Sequence, residues 1–218
     1  MSLIGHKSST TILTLQTKNP TYTPEIFDRA IKELGYMASQ ANASISANPL
    51  APPVPTIIYS KGNLMVLTNY GENLIRFIII NTLDINQLRS EINSVLEKLQ
   101  VGANSIHITE LVCRTEVPTS SSPVKTLTSL VNSNSLQKMS EILHVPKMEV
   151  LTMSFSNANW QNGEFRITIE PLASDPDNQF WLIIGYRTRS LLEFDKLVQT
   201  FNTQMVENII STITPDTS

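Results

Sequence analysis

Covalent chemistry in proteins usually needs a cysteine, serine or lysine beside a base, and here such residues are few and scattered. Cys113 is the only cysteine, and His6, His107 and His144 are the only histidines. Cys113 and His107 fall on one expected strand, sharing a face but roughly 20 Å apart at about 3.3 Å per residue. Neither can activate the other. No Gly-x-Ser-x-Gly elbow is present, and no glycine-rich turn precedes a helix to cradle phosphate. No histidine has a cysteine, an aspartate or a second histidine at ligand spacing. Asp175 and Asp177 flank Pro176 without the acidic series of an EF-hand, and His144, just before Pro146, suits a helix C-terminus. Glu110, Glu116, Glu164 and Glu170 fall mostly on the polar faces of their strands. The expectation is no catalytic constellation, no metal site and no cofactor.

Two groups of residues suggest binding instead. Arg76 interrupts the apolar run Leu74-Ile75-Arg76-Phe77-Ile78-Ile79-Ile80, sharing a face with Leu74, Ile78 and Ile80. Buried there, it needs a carboxylate, with Glu110, Glu164 and Glu170 as candidates, and its loss would cost roughly 3–5 kcal/mol. The commoner outcome is an edge position, or a stem on apolar surface with its head in water. Trp181, Ile183, Gly185 and Arg187 share a second strand face, beside Tyr186 and Arg189. An aromatic, a small residue and an arginine can meet a planar or anionic group, although a tryptophan so placed is more often core. Arg76, Trp181 and Arg187 are therefore the candidate binding residues.

The elements that must position them follow from periodicity. Residues 11–18 alternate as a strand, and Thr23-Pro24 caps a helix whose apolar face runs through Ile26, Phe27, Ala30, Ile31, Leu34, Met37, Ala38 and Ala41. Residues 47–55 hold four prolines and read as an extended connector. Residues 57–60 and 64–68 are strands, and 74–81 is a strand whose continuous apolar character suggests burial on both faces. Asp84 and Gln87 open a helix striped by Ile85, Leu88, Ile92, Val95, Leu96 and Leu99, with Gly102 just past its end.

The pattern then restarts. Residues 105–117 form a strand, and Ser122-Pro123 caps a helix interrupted by Asn132-Ser133-Asn134-Ser135, which favours two short helices. Residues 149–155, 165–169 and 180–188 read as strands. Ser190 and Glu193 open a long terminal helix over 191–213, whose wide apolar stripe predicts a homodimer contact, the alternative being a helix clasped by both repeats within one chain. Leu15-Gln-Thr-Lys-Asn-Pro20-Thr matches Cys113-Arg-Thr-Glu-Val-Pro118-Thr at the corresponding place. An α+β fold follows: an internally duplicated β-α-β-β-β-α unit, residues 10–103 and 104–214, forming mostly antiparallel sheets with helices on one side.

A formal charge of −3, with 16% charged and 41% hydrophobic residues, describes an ordinary globular chain and argues against nucleic acid as a partner. The densest apolar run is too short to span a bilayer of roughly 30 Å, and the N-terminus lacks a secretory layout. A single thiol fits a reducing compartment. The expected protein is cytoplasmic and off the membrane. Its expected role is non-catalytic: a binding or protein-interaction module holding a ligand or partner on the sheet face or in the groove between repeats. The alternative is an enzyme whose site gathers scattered strand residues around Arg76 or Cys113.

Overall fold

Ser9–Thr17 forms a strand, β1, with Thr11, Leu13, Leu15 and Thr17 all buried on one side. It becomes the middle of a nine-stranded sheet. The computed structural model describes residues 9–18, 22–43, 54–80, 85–118, 122–147, 149–156, 163–189, 208–209 and 211–212. The remaining strands are β2 (Met37–Ala43), β3 (Val54–Lys61), β4 (Leu64–Asn69), β5 (Leu74–Ile80), β6 (Ile106–Pro118), β7 (Met153–Ser156), β8 (Glu164–Pro171) and β9 (Gln179–Thr188). Their order across the sheet is β2-β3-β4-β5-β1-β6-β9-β8-β7. Every pairing among them is antiparallel.

Among the described residues they are accompanied by the helices α1 (Pro24–Glu33), α2 (Ile85–Lys98), α3 (Pro123–Ser129) and α4 (Ser133–Leu143). Phe27, Ala30 and Ile31 of α1 join one core cluster with Leu88, Ile92, Val95 and Leu96 of α2 and Leu127 of α3. The strands supply Leu13, Leu15, Tyr59, Val66, Ile75, Phe77, Ile79, Leu111, Cys113, Leu182 and Ile184. The registers put all of these strand residues on the same side of the sheet. Each large aliphatic or aromatic side chain so covered contributes about 1.5–3 kcal/mol. α1, α2 and α3 therefore cover one face of the sheet.

The first half departs from the expected three strands after its helix. Met37, Ala38 and Ala41 belong to β2, because α1 stops at Leu34. Gly35 takes φ +87°, its N–H bonds the Lys32 carbonyl, and the Tyr36 N–H reaches back to Ile31. This is a Schellman stop, after which Tyr36 is buried. Helical spacing through Met37 and Ala41 is incidental, since a strand of small and polar residues has little pattern of its own. At the end of α2 the left-handed position goes to Gln100 (φ 55°), not to Gly102.

In the second half the expected break into two helices is present, with Asn132 capping α4 through the Asn134 N–H. Strand pairing covers only Met153–Ser156 of the segment expected from 149. The capping residue Asp84, most of the proline-rich connector and most of the 191–213 helix, with its dimer contact, lie outside the described residues. Of that helix, residues 208–209 and 211–212 are helical, and Ile209 packs against the core.

The burial of β5 corrects one expectation. Ile75, Phe77 and Ile79 are buried, but Arg76, Ile78 and Ile80 are only half-buried, so this strand is covered on one face rather than two.

Gly35 has no atom within 4 Å of where a Cβ would sit, so a substitution there meets only backbone strain. Gly35→Ala is expected to lower the unfolding free energy by about 1–2 kcal/mol. Urea denaturation with an unchanged slope checks it.

Candidate functional site

The face of the sheet opposite the helices carries the candidate residues. Cross-strand register sets Leu67, Arg76, Thr14, Glu110, Arg187 and Glu164 in one row running from β4 to β8. The neighbouring row is Met65, Ile78, Ile12, Val112, Gly185 and Arg166, and the next holds Ile80, Thr10, Arg114, Ile183 and Thr168. No described helix packs here. Ile12, Met65, Ile78, Ile80, Val112 and Ile183 are half-buried. Leu67 and Leu74 are buried on this face beside the long side chains of their register partners Arg76 and Gln16.

Arg76, Trp181 and Arg187 all belong to this face, but they do not make one small pocket. Arg76 and Arg187 are three strands apart in the same row, about 14 Å at ~4.8 Å per strand. Trp181 sits further along β9, half-buried between Glu116 and Glu170, its partners in the register. The four glutamates of the polar strand faces also project here. Glu164 meets Arg166 at 2.7 Å, the arginine exposed and the carboxylate largely covered.

Arg76 is half-buried, and its Nε donates to Thr14 Oγ1 at 3.2 Å. Burial pulls its guanidinium below the ordinary value, while the charges of Glu110 and Glu72 act the other way. Of the carboxylates considered from sequence, Glu110 is the one whose charge bears on it.

Cys113 lies on the opposite, helix-covered face. Its thiol is buried, 3.8 Å from Thr11 Oγ1, and burial pushes its pKa up to about 11. That is the setting of a packed cysteine, not a nucleophile. Cys113 and Arg76 are on different sides of the sheet and cannot share a pocket. His107 is the extra residue where the β1·β6 register shifts, and its Nδ1 has no hydrogen-bond partner. His144 ends α4 in the left-handed conformation. Among the described residues no three His, Cys, Asp or Glu side chains group as a metal site, and no helix is long and apolar enough to cross a membrane.

A second site escaped the sequence reading. Between α1, β3 and the turn after β4 lies a cleft of about 680 Å³, lined by Pro24, Glu25, Asp28, Ile57, Tyr59 and Tyr70 among others. Behind it the rings of Tyr22, Phe27, Tyr59 and Tyr70 pack with centroids 5.6–6.2 Å apart. The Tyr59 hydroxyl donates to Asp28 Oδ1 at 3.1 Å, and Lys32 Nζ meets Asp28 Oδ2 at 2.9 Å. Three of the five tyrosines converge here. That scarcity was the one available signal, but their wide separation in sequence hid it.

No protein-family model matches the chain, and no curated protein matches its sequence.

Two outcomes follow from these environments. Arg76→Met is expected to change stability by less than about 1 kcal/mol, because the head is only half-buried and Glu110 keeps Arg187 as its neighbour. A denaturation midpoint shifted by several times that amount would show a far more buried ion pair. The second concerns alkaline pH. Burial, then the hydrogen bond to Asp28, raises the Tyr59 pKa from 10.0 to about 12. The folded state thus holds a proton that the unfolded chain releases sooner. The associated stability is complete below pH 10 and is lost as pH rises towards 12. Ultraviolet titration should show tyrosine ionisation late in this window in the native protein, and near 10 in urea.

Proposed function

We propose that this chain is a non-catalytic binding protein that holds a folded protein partner on the bare face of its sheet. The observation that carries this reading is the row Met65, Ile78, Ile12 and Val112, which sets apolar side chains across four neighbouring strands on a face without a described helix. Antiparallel sheets with one wet face normally alternate apolar and polar residues. Here β5 stays apolar on its open side, apart from Arg76, which has no structural return unless something covers it.

The charge pattern favours protein over nucleic acid. Arg76, Arg114, Arg166 and Arg187 share the face with Glu110, Glu116, Glu164 and Glu170, so the two signs balance among the described residues. A phosphate backbone calls for an excess of cations. An apolar centre with aromatic and arginine anchors and mixed charges around it suits a protein interface.

The same reading includes an internal duplication of residues 10–103 and 104–214. Its support is that β3-β4-β5-β1 and β7-β8-β9-β6 follow the same order from edge to centre. Aligning Leu15 with Cys113 also places Leu13 on Leu111, and these two are Cα partners in the β1·β6 pair, as a twofold axis through the sheet requires. β2 has no counterpart among the described residues of the second half. Both halves then contribute strands to one continuous binding face.

The test uses the full chain as bait in a native extract, followed by affinity measurement with the isolated partner. Ile12→Glu and Val112→Glu should each weaken binding at least tenfold while leaving the circular dichroism spectrum unchanged. Ile142→Glu on α4, where Ile142 is 74% exposed, should leave affinity intact. A partner indifferent to both face substitutions overturns the proposal. Binding to a mixed-sequence DNA duplex that collapses with added salt and requires this face would replace it with a nucleic-acid reading.

A further inference from the structure

The cleft between α1, β3 and the turn after β4 lies away from the bare face, on the side of the sheet that carries the helices. Its outer wall is formed by Tyr70, which is 36% exposed, and Ile57, which is 43% exposed. Both are large side chains turned towards solvent inside a concavity. Glu25 and Asp28, one helical turn apart on α1, line the opposite wall. The Glu25 carboxylate is held below its usual range by the Thr23 hydroxyl, so it is charged at neutral pH. The Tyr70 phenol is pushed up by burial first, and then by the neighbouring tyrosines and the charges of Asp28 and Glu25. An aromatic ring and two carboxylates therefore act on the same space. Ring faces and carboxylates both attract a cation.

The molecule fills an equivalent arrangement elsewhere with its own lysine. Lys61 Nζ stands 5.4 Å over the Tyr36 ring and 2.8 Å from Glu91 Oε1. The Tyr36 hydroxyl in turn donates to Glu91 Oε2 at 3.0 Å. Tyrosine, carboxylate and ammonium form a closed set there. In the cleft Tyr59 and Lys32 already hold the two oxygens of Asp28, while Tyr70 and Glu25 line open volume with no lysine among the described residues around it.

We propose that this cleft is a binding site for a cationic side chain, a lysine ammonium or its methylated form presented by a partner polypeptide. The chain's apolar stem would lie along Ile57 and Pro24, with the charged head over Tyr70 and between Glu25 and Asp28. The positive end of α1 acts against a cation, and the site relies on the Glu25 and Asp28 carboxylates to outweigh it; Pro24 has no N–H, and Thr23 already satisfies the Ile26 N–H. The site is independent of the bare sheet face, so either can fail without the other.

N-acetyl-lysine methylamide, its trimethylated form and the neutral norleucine analogue serve as probes, followed by shifts of the tyrosine ring protons in NMR. Both cations should bind saturably in the millimolar range, the trimethylated form at least as tightly, and norleucine at least tenfold more weakly. Tyr70→Leu should weaken the cations by about 5- to 10-fold, in line with a partly desolvated cation–π contact. Glu25→Gln, an exposed change in the first helical turn that leaves the aromatic cluster alone, should weaken them several-fold and flatten the salt dependence. Equal binding of norleucine, no saturation by either cation, or cation affinity unchanged in Glu25→Gln overturns the proposal.

Discussion

The antiparallel pairing of β1 with β6 is the interaction on which the rest depends. It runs from Ser9 opposite Thr115 to Thr17 opposite Ile106, and among the described residues it is the strand pairing that joins the sheet encoded before residue 103 to the sheet encoded after it. Without it the molecule is two half-sheets, each exposing a central strand as a raw edge. With it, Leu13 and Leu111 become neighbours in a single core, and the helix-covered face continues across the junction. Pairing also fixes facing. A one-residue slip between β1 and β6 would turn Leu111 and Cys113 towards solvent and bury Glu110 and Arg114. The hydrophobic alternation of both strands therefore holds the register of the whole sheet.

Covering only one face has a consequence for the other. The helices satisfy the apolar demand of Ile75, Phe77 and Ile79, which would be enough to anchor β5. Ile78 and Ile80 add nothing to that core. Among the described residues Ile12 and Met65 are their lateral neighbours, in an apolar patch bounded by Arg76, Arg114 and the glutamates. The two kinds of chemistry in this protein are thus separated by the thickness of one sheet. On one side a partly apolar surface is extended and flat in composition; on the other, a cleft is small, aromatic and acidic.

Much of the fold was legible because periodicity of two and of 3.6 survives wherever one face is buried. The strand face Trp181-Ile183-Gly185-Arg187 could be read from spacing alone, and so could the split between α3 and α4. Three things could not. Gly35 ends α1 through backbone geometry, and the following Met-Ala-Ser-Gln-Ala-Asn-Ala segment carries no strand alternation, so β2 looked like more helix. The apolar run of β5 suggests two buried faces because sequence cannot tell a covered apolar face from an open one. The cleft depends on Tyr22, Tyr59 and Tyr70 being brought together by β4, β3 and α1, which is long-range information that no local pattern holds. Arg76 was visible as an anomaly, yet its surroundings, Thr14 across one strand and Glu110 across two, needed the register.

The edges of the sheet explain why its faces, and not its rims, are the surfaces suited to recognition. β7 spans only Met153–Ser156 and alternates serine on its open side, too short and polar to template another strand. β2 at the other edge is longer, but it consists of small and amide side chains, with Met37 as its one large apolar residue. Its register partners in β3 include Pro55, which has no N–H to offer the ladder. Strand addition at either rim would gain backbone hydrogen bonds and cover one large apolar side chain, Met37 on β2 or Phe155 on β7. Docking across the face would bury Ile12, Ile78, Ile80, Val112 and Ile183 together, at about 25 cal/mol for each Å² removed from water. Ile12, Ile78, Ile80, Val112 and Ile183 stand side by side across β1, β5, β6 and β9, and an association that covers them together must approach from that face.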